Sequence, residues 1–175
     1  MKIWFLRVAV DDMPISASQL RTRRVVPVLF RDIPLSECSL DLSEDNVRAL
    51  VDRHYTGSSA GTRGQVAGSL LRFFHQVQVG DVLAVCLNRN PNLLFGEVMD
   101  GSLSEFPGIK ESKSRPVRWL TEKEIAKLNI DSLPPRTLKY RGTICLWADF
   151  DLLDQDEQKK VTFYTKPHDD LRRRQ

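Results

Sequence analysis

Residues 64–81, GQVAGSLLRFFHQVQVGD, constrain the fold more than any other part of this chain. Val66, Leu70, Phe73, Phe74 and Val77 recur at three- and four-residue steps, which puts them on one face of an amphipathic helix. Arg63, Arg72 and Gln76 fall away from that stripe. Ser59 or Thr62 can cap the helix start, and Gly80 stands where a chain leaves a helix through the left-handed region. The next segment, residues 82–87, is apolar at every position, which suits a strand covered on both faces. Asn88-Arg89-Asn90-Pro91-Asn92 is turn chemistry, so residues 93–98 are predicted as the second strand of a hairpin.

Around this unit the chain reads as short alternating elements. Residues 2–10 open on Ile3-Trp4-Phe5-Leu6 and predict a core strand. Residues 11–18 predict a loop, and residues 25–30 a strand that Pro27 pushes to an edge. Ser43 before Glu44-Asp45-Asn46 predicts a helix N-terminus, with the helix running to about His54 and Val47, Leu50 and Val51 inward. Residues 55–63, rich in Gly and Ser, predict a loop whose small residues let a ligand approach the backbone. Residues 101–114 read as a polar connector and residues 115–120 as a strand. Thr121 and Glu124 form a capping box for a short helix to Leu128. Residues 133–136 break the chain, residues 142–147 predict the closing strand, and residues 151–160 a polar helix. Residues 1–166 are expected to form a single domain, with 167–175 as a charged tail.

Composition bounds the function. A 20.1 kDa chain of 175 residues, 41% hydrophobic and 28% charged, suits one soluble globular core. No apolar run reaches membrane-spanning length and the N-terminus does not read as a signal peptide, so a cytoplasmic protein without membrane association is expected. Cys38, Cys86 and Cys145 lie far apart, which argues against a disulfide framework or a structural zinc. The net charge of +3 is too mild to declare nucleic-acid binding. The basic residues are nonetheless clustered: Arg21, Arg23 and Arg24; Lys110, Lys113, Arg115 and Arg118; Arg136, Lys139 and Arg141; and Arg172–Arg174.

Trp4, the run Gly64 to Phe74, Val79-Gly80-Asp81, Gly96-Glu97-Val98 and Arg115-Pro116-Val117-Arg118-Trp119-Leu120 together resemble the EVE-like branch of the PUA-like superfamily. In particular they are similar to specificity modules of modification-dependent restriction systems. The resemblance covers residues 2–6 and 60–150, and residues 11–55 read as an insertion. It implies an α+β fold, a PUA-like (EVE-type) twisted β-barrel with flanking helices, and a concave pocket that accepts a flipped base. It further implies binding of modified DNA, with methylated or hydroxymethylated cytosine as the base, by a chain that is not itself an enzyme. No cofactor is implied, and a nuclease or NTPase would sit on a fused domain or partner. Extrusion of a base costs a few kcal/mol. Stacking on aromatic side chains returns about 1–3 kcal/mol per base.

By this resemblance the base pocket draws on Trp4, Phe5, Tyr55, Ser58, Ser59, Leu87, Asn88 and Trp119, and phosphate contacts on Arg63, Arg72, Arg115 and Arg118. Trp4 and Phe5 are neighbours on a strand, so at most one points into the pocket. Each residue also has a plain reading. Trp4, Phe73, Phe74 and Trp119 serve equally as core, Ser58 and Thr62 as caps, and the arginines as solvated surface. Two other functions stay open: an RNA-binding PUA-like module and a small metal-dependent nuclease. For the latter, Asp151, Asp154 and Glu157-Gln158-Lys159 mimic an acid-x-Lys pattern, but in a helix-like run rather than on core strands. His54, His75 and His168 are scattered, and 61–64 lacks the Gly-Lys-Ser/Thr ending of a phosphate-binding loop.

Overall fold

The computed structural model of the protein describes residues 1–8, 15–87, 92–128 and 143–149. The elements in chain order are β1 (Lys2–Val8), α1 (Ala17–Arg23), β2 (Val25–Val28), a 3₁₀ turn (Leu35–Glu37), α2 (Glu44–His54), α3 (Ala60–Leu71) and a π turn (Arg72–Gln76). They continue with β3 (Val82–Leu87), β4 (Leu94–Val98), β5 (Ser104–Phe106), β6 (Ile109–Trp119), α4 (Glu122–Lys127) and β7 (Ile144–Asp149). The seven strands form one sheet in the order β2-β6-β4-β3-β1-β7, with β5 paired to β6.

The expected α+β class holds, but the sheet is not closed into a barrel: its end strands, β2 and β7, do not pair among the described residues. β2 is only 4 residues long and carries Pro27, which has no N–H to offer a further strand. β1 and β3 run parallel, Ile3 opposite Val82 through Val8 opposite Leu87, and the other pairings are antiparallel. A parallel pair needs a long crossover, and here α1, β2, α2 and α3 all lie within it.

Both faces of the sheet are covered. On one, Trp4, Leu6, Val8, Leu83 and Val85 pack in the same core as Val47, Leu50 and Val51 of α2 and Val66, Leu70, Phe73 and Phe74 of the α3 segment. On the other, Ile3, Val82, Ala84, Phe95 and Ala148 meet Ile125 and Leu128 at α4. Period-two alternation along β1 and β3 assigns the residues to these faces. Together the two cores account for the all-apolar run of β3.

The caps of α2 and α4 are those read from the sequence, and of the two candidates for α3 it is Ser59 that serves. Ser43 Oγ accepts from Asn46 N at 3.3 Å and Ser59 Oγ from Thr62 N at 3.1 Å. Thr121 and Glu124 form the capping box of α4. Residues 55–63 are not all loop, because α3 starts at Ala60. The segment then widens: Val77 N–H reaches Arg72 C=O at 2.9 Å, a π-type bond. Gly80, at φ +86°, supplies the left-handed turn into β3.

Two other segments depart from expectation. α1 occupies part of the predicted 11–18 loop and continues to Arg23; it buries only Leu20, so it carries no apolar stripe. Its one local sign is the capping box of Ser16 and Gln19. Residues 101–114, predicted as a connector, hold β5 and the first half of β6. Buried Ser112, Lys113, Ser114 and Arg115 hide the alternation there. Residues 88–91 of the predicted 88–92 turn, the break at 133–136, the helix at 151–160 and the tail at 167–175 lie outside the described residues. No described helix is long and apolar enough to cross a membrane.

Candidate functional site

The structure divides the predicted site residues among several places. Trp4, Phe5 and Leu87 are core. Trp4 is 2% exposed, and its Nε1–H donates to Asp81 Oδ2 at 2.9 Å. Asp81 is itself buried and also accepts from Lys2 N at 2.8 Å and Gln78 N at 3.0 Å. Phe5 is fully buried and meets Trp147 edge-on, with ring centroids 6.3 Å apart. Leu87 ends β3 opposite Val8. None of the three offers a face to a base in this conformation, and Asn88 lies outside the described residues.

Tyr55, Ser58 and Ser59 do come together, in the turn from α2 to α3. Tyr55 is half-buried and bonds Asp32; desolvation, with that carboxylate behind it, raises the phenol well above its ordinary range. Ser58 C=O accepts from Arg63 Nη1 at 2.6 Å, while Arg63 Nε meets Asp52 Oδ1 at 2.8 Å. That ion pair borders a groove of about 200 Å³ between α2 and α3, lined by Arg48, Val51, Asp52, Ala60, Gly64 and Ala67. Trp119 stands apart, half-buried at the end of β6, where its Nε1–H donates to Leu20 C=O at 3.1 Å. Gly96 lets it lie close over β4, since a Cβ there would meet Val117 at 3.0 Å and the indole at 3.2 Å.

The predicted phosphate contacts separate in the same way. Arg115 is 4% exposed, and its Nη1 donates to Phe73 C=O at 3.1 Å and Val77 C=O at 2.6 Å. It caps the carbonyl end of the π turn, and desolvation lowers its pKa. It is therefore an internal tie and not a phosphate contact. Arg118 is exposed but held by carboxylates, Nε on Glu97 at 3.0 Å and Nη1 on Glu124 at 2.7 Å. Arg63 is bound as described, and Arg72 is half-buried with no ion pair among the described residues.

Sequence reasoning missed a cleft. Leu35, Cys38, Ser39, Leu40 and Asp41, before α2, face Gly101, Ser102 and Leu103, before β5, across about 380 Å³. Cys38, Leu40 and Leu103 are half-buried against the core and give the cleft apolar walls. Ser39, Asp41 and Ser102 are exposed and supply hydroxyl and carboxylate groups. Burial pushes the Cys38 thiol up despite nearby Lys113, so it lines the cleft as a thiol rather than a nucleophile. No local pattern announces this cleft, because its walls lie some 60 residues apart in the chain. Among the described residues no group of three or more His, Cys, Asp or Glu is placed to hold a metal ion.

The chain matches no protein-family model, no curated protein and no solved structure.

Proposed function

We propose that this chain is a non-catalytic binding module, PUA-like in its ancestry, that takes up a flipped and modified cytosine of DNA. One observation carries the reading: the separate segments on which the resemblance rests form one network of contacts. Trp4 is bonded to Asp81 of the Val-Gly-Asp turn. Gly80 N–H donates to Val98 C=O at 2.9 Å, and Val98 N–H to Asp81 C=O at 2.8 Å, which ties that turn to Gly96-Glu97-Val98. Gly96 lies beneath Val117 and Trp119, and Arg115 holds the carbonyls that follow the long helix. The combined motif is thus a packing motif, whose parts depend on one another whatever the ligand. A twisted barrel belongs to this reading and would require strands beyond those described.

The base is assigned to the cleft between Leu35–Asp41 and Gly101–Leu103. Its volume of about 380 Å³ falls in the usual range for small-ligand sites. Leu35, Leu40 and Leu103 can cover the faces of a ring and a 5-methyl group. Asp41 can accept from the exocyclic amine of cytosine, the same pairing by which carboxylates read that base in duplex grooves. A nuclease or NTPase partner is part of the proposal.

The test is a binding series on duplexes carrying 5-methylcytosine, 5-hydroxymethylcytosine, N6-methyladenine or no modification, with magnesium present. Preference for a modified cytosine without cleavage is expected. Asp41→Ala should weaken binding of the 5-methylcytosine and 5-hydroxymethylcytosine duplexes by about 1–3 kcal/mol, because its partner is the amine that every cytosine carries. Equal affinity for every duplex, or strand cleavage by the purified chain, would overturn the reading.

A further inference from the structure

The first basic cluster differs from the predicted phosphate contacts. Arg21, Thr22, Arg23 and Arg24 are all exposed. None of the three arginines makes an ion pair among the described residues. They are also held in place. Leu20 C=O accepts both from Arg24 N–H at 2.9 Å and from Trp119 Nε1–H at 3.1 Å. Arg24 C=O accepts from Val117 N–H at 2.8 Å. At the other end, the Ser16–Gln19 capping box fixes the start of α1.

Arg24 adds a separate sign. It ends the helix in the left-handed region, at φ 54° and ψ 36°. That position favours Gly or Asn, because a Cβ there crowds the following carbonyl. A residue in a disfavoured backbone state is a reason to look for a role in its side chain.

The turn also lies near the cleft. Val25, directly after Arg24, pairs with Pro116 of β6. On the opposite edge of β6, Met99 N–H donates to Pro116 C=O at 3.0 Å, and a Cβ on Gly101 would meet the Pro116 ring at 2.9 Å. The arginine turn and the Gly101 wall are thus separated by two inter-strand steps, about 10 Å.

We propose that the Arg21–Arg24 turn is the surface that grips the nucleic-acid backbone, its guanidinium groups on phosphates beside the cleft. This rests on the modified-cytosine reading for its partner. The chemistry is that of a polyanion: each guanidinium presents donors in a fixed fork that suits phosphate oxygens. Neutralised phosphates release counterions, so such contacts set the salt dependence and carry no base preference. The ordinary alternative is that Arg21 and Arg23 merely complement the carbonyl end of α1, an effect on stability alone.

The experiment uses the full chain and compares Arg21→Gln/Arg23→Gln/Arg24→Asn with the parent. Asn at position 24 keeps the left-handed backbone accessible. Affinity for modified and unmodified duplexes is measured at several salt concentrations, alongside thermal unfolding. The slope of log affinity against log salt should flatten by about 0.9 per lost contact, or roughly 2–3 in all, with the ratio between duplexes unchanged. Arg→Lys at all three positions should restore the slope, and Lys123→Gln/Lys127→Gln on α4 should leave it at the parent value. A parental slope in the triple variant would overturn this inference, and would leave the cytosine reading standing if the parent still prefers a modified cytosine and Asp41→Ala still weakens its binding. The inference also fails if the triple variant loses only binding to vesicles of anionic lipid, or if the α4 variant flattens the slope as much. A parent chain that binds no duplex defeats both readings.

Discussion

β6 and the end of α1 each gather basic residues within a few positions, and they use them oppositely. On β6 the charges of Lys113, Arg115 and Arg118 turn inward or are matched at the surface, and Lys110 at its start is left exposed. Lys113 is fully buried, its Nζ donating to Phe30 C=O at 2.6 Å, to Glu111 C=O at 2.6 Å and to Ile33 C=O. Arg115 ties down the π turn, and Arg118, on the outer face, meets Glu97 and Glu124. At the end of α1, a helix of 7 residues that buries only Leu20, Arg21, Arg23 and Arg24 all reach solvent. A strand in a covered sheet sends alternate side chains into the protein, whereas a short surface helix keeps most of its own outside. Density of basic residues therefore says little about a phosphate surface until the element carrying them is known.

The largest test of this contrast is Arg115→Met. It leaves the Phe73 and Val77 carbonyls buried without their donor, so a loss of about 3 kcal/mol in urea unfolding is expected. Arg21→Gln should stay within about 0.5 kcal/mol of the parent. The contrast breaks if Arg115→Met is nearly neutral for stability yet flattens the salt dependence of duplex binding.

Lys113 gives a pH test. Burial is the main cause that lowers its ammonium from the ordinary 10.5, outweighing Cys38 and the nearby carboxylates. Between the lowered value and about 10.5 the folded chain binds fewer protons than the unfolded one, so stability should rise with pH across that window. Lys113→Met should lose that rise. A parent-minus-variant difference that falls with pH would mean that the carbonyl cage favours the charged form more than burial opposes it.

The smallest effect is expected from Glu124→Gln. The Thr121 backbone bond, followed by Arg118 and the Thr121 hydroxyl, holds this carboxyl down at about 2 from an ordinary 4.5. A depressed carboxyl stabilises the fold above its unfolded value, and that contribution fades as pH falls from about 4.5 to about 2. The variant should flatten the acid limb of melting temperature over this range, with little change at neutral pH, as for an exposed pair. Duplex affinity should not change, because Glu97 still holds Arg118. A gain in affinity with a steeper salt slope would make Arg118 a phosphate contact held in reserve.

Several elements were legible because their signals are local. The stripe of Val66, Leu70, Phe73, Phe74 and Val77, the caps at Ser43, Ser59 and Thr121, the left-handed Gly80 and the edge-making Pro27 each act within a few residues. α1 was illegible because a helix with one buried residue has no period to read. β5 and the first half of β6 were illegible because buried polar side chains look like a connector. Of the site, the sequence offered Trp4 and Phe5 as ligand contacts, where packing claims both, and gave no sign of the cleft between residues 35–41 and 101–103.

By itself the sequence determined the helices with periodic faces, the Val-Gly-Asp turn, the β3–β4 hairpin and the α+β class. Only the tertiary structure decided which cations are internal, that the sheet stays open among the described residues, and where a cleft lies. The reason is the range of the forces involved. Periodicity and capping are satisfied within a few residues, but a buried charge needs acceptors wherever the fold can supply them. For Lys113 those acceptors include carbonyls 83 and 80 residues away in the chain, and for Arg115 carbonyls 42 and 38 residues away.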